Sequence, residues 1–292
     1  MTVDIGRFGL WAPLRLWENE GARLADTAAE LDALGFGTLW VANGPAVLDV
    51  AAAVLDATPR VSVATGIVNI WQHTAADVAR HHARITARHR HRFLLGLGNG
   101  PREASQWRLS PYERMVACLD ELDARQVAAT GRILAAVGPR MLALAAARTR
   151  GAHPFLTTPE HTRLARAVLG PDALLAPELK VVLSADPARA RSVARRALEF
   201  YLPKRGYAGN LRRLGFTDDD LAGGGSDRLV DAVVAWGDAD AVRRRVDEHL
   251  RAGADHVALQ VLTESTDGID PADRRLPLPD YRRLASWLDL GR

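Results

Sequence analysis

The sequence predicts an α/β fold, an eight-stranded parallel (β/α)8 barrel, and three observations predict it. Eight short apolar runs alternate with helical patterns along the 292 residues. Residues 61–101 hold two of those runs joined by one helix, and strand, helix, strand is the unit of a parallel sheet. The last run, 256–262, can return beside the first and close the ring. One domain over 1–292 is expected, since 48% hydrophobic residues suffice for a single large core.

The elements follow in order. Residues 7–12, RFGLWA, open as a strand closed by Pro13, and Leu24, Ala28, Leu31 and Leu34 then form the apolar face of a helix ended by Gly35. Residues 38–41 are the second strand, followed by the turn Asn43-Gly44-Pro45 and a helix through Val50, Val54 and Leu55. The third strand, 61–65, leads to Thr74, which caps a helix with Asp77 in the position of a capping-box acid and with Val78, His82 and Ile85 at helical spacing. The fourth, 93–97, stops at Gly98-Asn99-Gly100, and Ser110-Pro111-Tyr112-Glu113 is a capping box leading to Met115, Leu119 and Leu122. Residues 132–136 are the fifth strand, and Gly138-Pro139-Arg140-Met141 turns into a helix with Leu142 and Leu144. The sixth is 152–156, before a helix begun at Thr157-Thr158-Pro159-Glu160 and ended at Gly170-Pro171. The seventh is 179–183, and Asp186-Pro187 starts another helix. From 202 to 225 the pattern breaks into Pro203, Gly206, Gly209 and Gly223-Gly224-Gly225, an insertion before the last strand that reads as a mobile lid. A helix through Leu229, Val233 and Val234 then runs to Trp236-Gly237, Asp238 caps the next, Gly253 closes it, 256–262 is the eighth strand, and 280–290 is a terminal helix.

Composition narrows the function. Thirty-eight basic against 35 acidic residues leave a net charge of only +3, and Lys180 and Lys204 are the only lysines. The arginine- and histidine-rich run 80–92 spans a helix and its exit, so it reads as a solvated face and no nucleic-acid partner is expected. The one cysteine, Cys118, sits in a helical pattern, which makes a buried thiol and a reducing cytoplasm the expectation. No apolar run approaches a membrane span and no signal pattern opens the chain, so a soluble, cytoplasmic protein is expected.

Chemistry should gather where parallel strands end. Gly138-Pro139-Arg140 places backbone N–H groups and an arginine at a helix N-terminus, which reads equally as a phosphate site or as a plain tight turn. Gly98-Asn99-Gly100 admits close approach to a flat ligand or is an ordinary turn. Dinucleotide and P-loop fingerprints are absent. The histidines lack metal-ligand spacing, and no metal is expected. His73 follows the third-strand loop and faces either the barrel mouth or Trp71. Trp11, Trp71 and Trp107 offer apolar walls for an aromatic ligand, or core packing.

The succession GLWAPL, LGFGTLWV, VATGIVNIW, RFLLGLGNG, SPYERM, ILAAVGPRMLALAA, AHPFLTTPEHT, WGDADAV and AGADHVALQVL resembles the bacterial luciferase-like family, especially its actinobacterial branch that uses the deazaflavin coenzyme F420. The resemblance covers nearly the whole chain. It implies a TIM barrel, a homodimer, and hydride transfer between F420 and a small organic substrate. It places the cofactor against Gly66, Ile67, Asn69, Gly138 and their neighbours, and a non-prolyl cis peptide at Gly66–Ile67, where an ordinary trans bulge is the other reading; with Asn43, Gly98, Asn99 and Arg140 at the strand and helix ends, these are the expected cofactor contacts. Three departures accompany it. Asn43-Gly44 stands where relatives carry an acidic residue or an Asp-His pair, Pro101 where some place a glutamate, and Arg150 where an aspartate is common. Proton transfer then passes to His73 or Glu103, or is lost. Two rivals remain: an FMN-dependent monooxygenase on the same barrel, and a degenerate barrel that binds a ligand or partner without catalysis.

Overall fold

The computed structural model describes residues 2–42, 44–100, 110–264 and 274–291. Among them the strands are β1 (Phe8–Pro13), β2 (Thr38–Ala42), β3 (Ser62–Thr65), β4 (Val68–Asn69), β5 (Phe93–Gly98), β6 (Arg132–Leu134), β7 (Gly151–Ala152), β8 (Leu174–Leu175), β9 (Glu178–Val182), β10 (Val234–Trp236) and β11 (Val257–Val261). Every pairing is parallel, in the order β10-β9-β11-β1-β2-β3-β5-β6-β7-β8, with β4 on β5. The result is a curled, barrel-like parallel sheet.

The strands alternate between two cores, as a period of two requires. Leu10, Leu39, Val41, Val63, Leu95 and Leu97 belong to the cluster shared with the helices. Trp11, Trp40, Ala64, Leu94, Ile133 and Ala258 belong to the second cluster, inside the curl. The helices between the strands include α4 (Ala75–Arg88), α5 (Pro111–Ala124), α6 (Pro139–Arg148) and α7 (Pro159–Leu169). Their expected caps are present. The Asp77 amide donates to the Thr74 hydroxyl at 3.1 Å, and Ser110 and Glu113 complete both halves of a capping box.

Three sequence expectations are corrected. The run 179–183 is preceded by β8, and the two pieces are separated because Pro177 has no N–H for the ladder. Across that break the Ala176 and Glu178 amides donate to Ala152 and Pro154 carbonyls at 2.9 and 2.8 Å, while the Ala258 amide donates to the Pro177 carbonyl at 2.9 Å. The sixth run shrinks to β7, and the chain leaves the ladder before Leu156, whose φ is 56°. The helix expected to reach Trp236 ends at Val233, and Val234–Trp236 instead pairs with β9 as β10, where β-branched and aromatic residues favour a strand. The count is therefore eleven strand pieces among the described residues, not eight.

The stretch 202–225 is also not a glycine loop. It holds α9 (Arg205–Arg213) and α10 (Asp218–Leu221), and α10 has a capping box of Thr217 and Asp220. Leu202, Ala208, Leu211 and Phe216 are buried, and Gly206 and Gly209 lie within α9. It follows α8 (Pro187–Leu198) and precedes α11 (Asp227–Val233). No described helix is long and apolar enough to cross a membrane.

Candidate functional site

Between β3 and β4 the chain carries one extra residue. Val63 pairs with Phe93 and Val68 with Leu97, five steps against four, which is a bulge centred on Gly66 and Ile67. The Gly66–Ile67 peptide is cis. The Thr65 hydroxyl bridges the gap in the ladder, donating to the Gly96 carbonyl at 2.9 Å and accepting from the Gly96 amide at 2.8 Å.

The bulge opens onto a cavity of about 360 Å³ at the C-terminal ends of the strands. Trp11 of β1, Gly66 and Ile67 of the bulge, Asn99 and Gly100 after β5, and Ala135 to Gly138 after β6 line it. His153 and Phe155 follow β7, and Phe200, Tyr201, Lys204, Gly206 and Tyr207 bring in the segment between α8 and α9. The wall is aromatic: Phe155 lies 5.2 Å from Trp11, 5.0 Å from Tyr201 and 5.8 Å from Tyr207, between ring centroids.

Of the residues expected at the site, Gly66, Ile67, Asn99 and Gly138 meet at this cavity. Gly98 stands behind it: a Cβ there would lie 2.7 Å from Ile67 Cγ1 and 3.0 Å from Ala135 Cβ, so the glycine makes room for two lining residues. Asn69 is fully buried, and its side-chain oxygen accepts from the Trp71 amide at 3.0 Å, holding the turn after the bulge. Arg140 is exposed and stacks over the Tyr112 ring at 4.4 Å, outside the lining. His73 is half-buried, its Nε2 3.3 Å from the Gly44 carbonyl, also outside the lining. Asn43, Pro101, Glu103 and Trp107 lie outside the described residues. Arg150 precedes β7, at the other end of the strands, and donates to the Val3 carbonyl at 2.5 Å.

The α6 N-cap, Gly138, carries no side-chain bond, and a Cβ on it would meet only Arg213 Nη2, at 3.6 Å. His161 Nε2 donates to the Val137 carbonyl at 2.8 Å and fixes this turn. Burial holds His161 neutral by lowering its pKa.

Sequence reasoning missed the interior polar groups. His153 Nδ1 donates to the Ala176 carbonyl at 2.6 Å, and burial pushes the ring down to a pKa of about 3. Its Nε2 is then an acceptor, and among the described residues that atom has no partner; nor do Trp11 Nε1 and Asn99 Oδ1, both also buried. Below the aromatic wall, Lys180 Nζ is 2.9 Å from Glu178 Oε1 and 3.7 Å from the Phe155 ring centre, with both charges fully buried. Burial raises the Glu178 pKa against the pull of Lys180, and burial beside Glu178 raises that of Tyr207. The signal in the sequence was the rarity of lysine: one of the two lysines lies under this wall and the other, Lys204, lines the cavity.

The family of luciferase-like monooxygenases matches residues 7–122 by its model. The resemblance to the luciferase-like barrels holds. No curated protein matches the chain. Among solved structures, an F420-dependent secondary alcohol dehydrogenase in complex with an F420-acetone adduct is 13% identical, with 98% of this chain and 99% of that one covered and a TM-score of 0.72. The coenzyme F420-dependent tetrahydromethanopterin reductase from Methanopyrus kandleri is 15% identical over 97% of each, with a TM-score of 0.70. The oxygenating constituent of 3,6-diketocamphane monooxygenase from Pseudomonas putida, in complex with FMN, is 14% identical over 96% of each, at 0.63. At these identities the likeness is one of fold, and the luciferase-like architecture accommodates both kinds of ring cofactor in those proteins.

Proposed function

We propose that the protein is an F420-dependent oxidoreductase that transfers a hydride between the deazaflavin and a small organic substrate. One observation carries the reading: the glycine-lined gap at Gly66 and Gly138, the uncapped start of α6 and the orphaned Asn99 oxygen all open on one cavity. A glycine cradle suits a flat ring, and an uncapped helix start with Arg213 beside it suits a phosphate. The two structures named above for F420 also have the higher TM-scores, 0.72 and 0.70 against 0.63 for the FMN complex.

When bound, the deazaflavin would supply a ring carbon that takes or gives the hydride. The bulge residues Gly66 and Ile67 would bear on the ring, Asn99 would offer it a hydrogen bond, and Gly138 with Arg213 would hold the phosphate. Phe155, Tyr201 and Tyr207 form an aromatic wall that would shield a bound ring from water and so strengthen its polar contacts. We read the protein as one domain, with 202–225 as a packed cover over the mouth, and as a homodimer. Among the described lining residues there is no carboxylate, so a solvent-derived proton or Glu103 serves the reaction.

Titration of the protein with F420 and with FMN, read by visible absorbance and calorimetry, tests this. Binding of F420 at least tenfold tighter than FMN is expected. Preference for FMN would move the assignment to the monooxygenases, and binding of neither to a folded protein would favour a non-catalytic barrel.

A further inference from the structure

Trp11 Nε1 and His153 Nε2 are two buried nitrogens without partners among the described residues, one a donor and the other an acceptor, and both residues line the cavity. Trp11 is 5% exposed and His153 1%, so neither nitrogen is freely hydrated. Their roles are fixed. An indole N–H only donates, and His153 must keep its proton on Nδ1 to satisfy the Ala176 carbonyl. Glycine at position 66 lets the two nitrogens approach each other: a Cβ there would lie 2.6 Å from Trp11 Nε1 and 3.4 Å from His153 Nε2. The nitrogens are therefore no more than about 6 Å apart. One oxygen at ordinary hydrogen-bond length from each spans up to ~5.8 Å.

We propose that Trp11 and His153 form a recognition point for the hydroxyl of a neutral alcohol with an aromatic or apolar body, the hydroxyl accepting from Trp11 and donating to His153. This rests on reading the cavity as the substrate site of a hydride-transferring enzyme. The body of the molecule lies along Phe155 and Tyr201, which continue from Trp11 toward the half-exposed Phe200 at the mouth. Carboxylates are rejected, because a carboxylate brings only acceptors and would set an oxygen against the His153 lone pair. Ketones and ethers satisfy Trp11 alone. A hydroxyl between the two nitrogens makes both bonds, whereas an ether makes one. His153 is a positioning residue here and not a base, since burial holds it neutral with a pKa of about 3. The pair stands on β1 and after β7, beside Gly66 of the proposed ring contacts and on strands other than those whose following loops supply Asn99 and Gly138.

The test uses the full-length protein without cofactor, titrated with 2-naphthalenemethanol, its methyl ether and 2-naphthoate. Calorimetry should give the alcohol about tenfold tighter than the ether, with the naphthoate weakest, as one lost buried hydrogen bond implies. In nitrogen-15 NMR the Trp11 indole signal, identified by its absence in Trp11→Phe, should move with both the alcohol and the ether, since both accept from it. Trp11→Phe should also weaken alcohol and ether alike and leave the naphthoate the least affected. Equal affinity for alcohol and ether, with an unmoved indole signal, would mean that the floor holds water only and would overturn the proposal; the ratio in the unaltered protein decides this even if Trp11→Phe does not fold. Repeating the titration with F420 or FMN at saturation separates sources. A persisting alcohol preference supports a substrate site, and its disappearance would show the cofactor's own imide edge on the floor and overturn the substrate assignment. Alcohol preference in a protein that binds neither cofactor would sink the hydride-transfer reading and leave the hydroxyl site standing.

Discussion

Two buried histidines flank the same tryptophan and differ in one respect. His256 donates from Nδ1 to the Gly6 carbonyl at 2.8 Å and accepts at Nε2 from the Trp40 indole at 3.0 Å, so both nitrogens are satisfied. His153 stacks on Trp40, with centroids 4.1 Å apart and rings 12° from parallel, yet satisfies only Nδ1. His256 stands just before β11, at the start of the strands, and His153 just after β7, at their ends. One face of the barrel is thus closed by completed hydrogen bonds, and the other keeps unspent ones facing a cavity. A parallel barrel separates stability from function along its axis in this way.

Acid should erase the distinction, and this is the largest effect expected. Burial lowers His153 and His249 to about 3 and His256 to about 4, whereas the unfolded chain takes up those protons near 6.5. All three are neutral when folded, so their contribution is intact above about pH 6.5 and is lost as the pH falls below it. Each proton adds ~1.4 kcal/mol per pH unit, so the three together should steepen the loss to ~4 kcal/mol per unit near pH 5. Urea unfolding from pH 7 to pH 4 measures that slope, and a flat profile would contradict the burial of the three rings.

Substitution should restore the distinction. His256→Phe leaves the Gly6 carbonyl and the Trp40 indole N–H both unpaired, and we expect a loss of about 3–5 kcal/mol. His153→Phe leaves one carbonyl unpaired and should cost about 1–2 kcal/mol. Equal losses in denaturant melts would mean that the open nitrogen of His153 is as engaged as its counterpart.

What was legible beforehand follows the same division. Caps such as Thr74 and Ser110 are local, each set by residues three apart, and were read correctly. The strand runs were legible because burial on both faces leaves a continuous apolar signal. Their lengths were not, since Pro177 and the turn at Leu156 interrupt pairing through missing or diverted amides. Gly66, Asn99 and Gly138, expected from strand ends and from the resemblance, line one cavity. Trp11 with His153, and Glu178 with Lys180, were not expected, because the first pair joins residues far apart in sequence and the second reads as an ordinary polar alternation within a strand. Gly98, expected at the same strand end, packs against Ile67 and Ala135.

At the functional end, charge near Gly138 should matter for binding and little for stability. Arg213 lies 3.6 Å from the place a Gly138 Cβ would take, whereas Arg140 turns onto Tyr112. Arg213→Glu should weaken F420 binding about tenfold at low salt, and Arg140→Glu about twofold, because screening and distance both discount the exposed, stacked guanidinium. The reverse order in calorimetry would return the phosphate to Arg140.

The smallest effect is expected at the closed end. Arg150 precedes β7 and donates to the Val3 carbonyl, tying the segment before β1 to the sheet. Its guanidinium is half-buried, and burial lowers its pKa, but an arginine side chain keeps its charge in proteins. Arg150→Gln keeps a donor but shortens the reach, and a single partly solvated hydrogen bond is worth ~0.5–1.5 kcal/mol. Stability should fall by about 1 kcal/mol while the affinity for F420 and for the alcohol probe stays within twofold. Should ligand affinity fall with stability intact, the two faces would be coupled through β7, from Arg150 to His153, and the separation argued from the two histidines would fail.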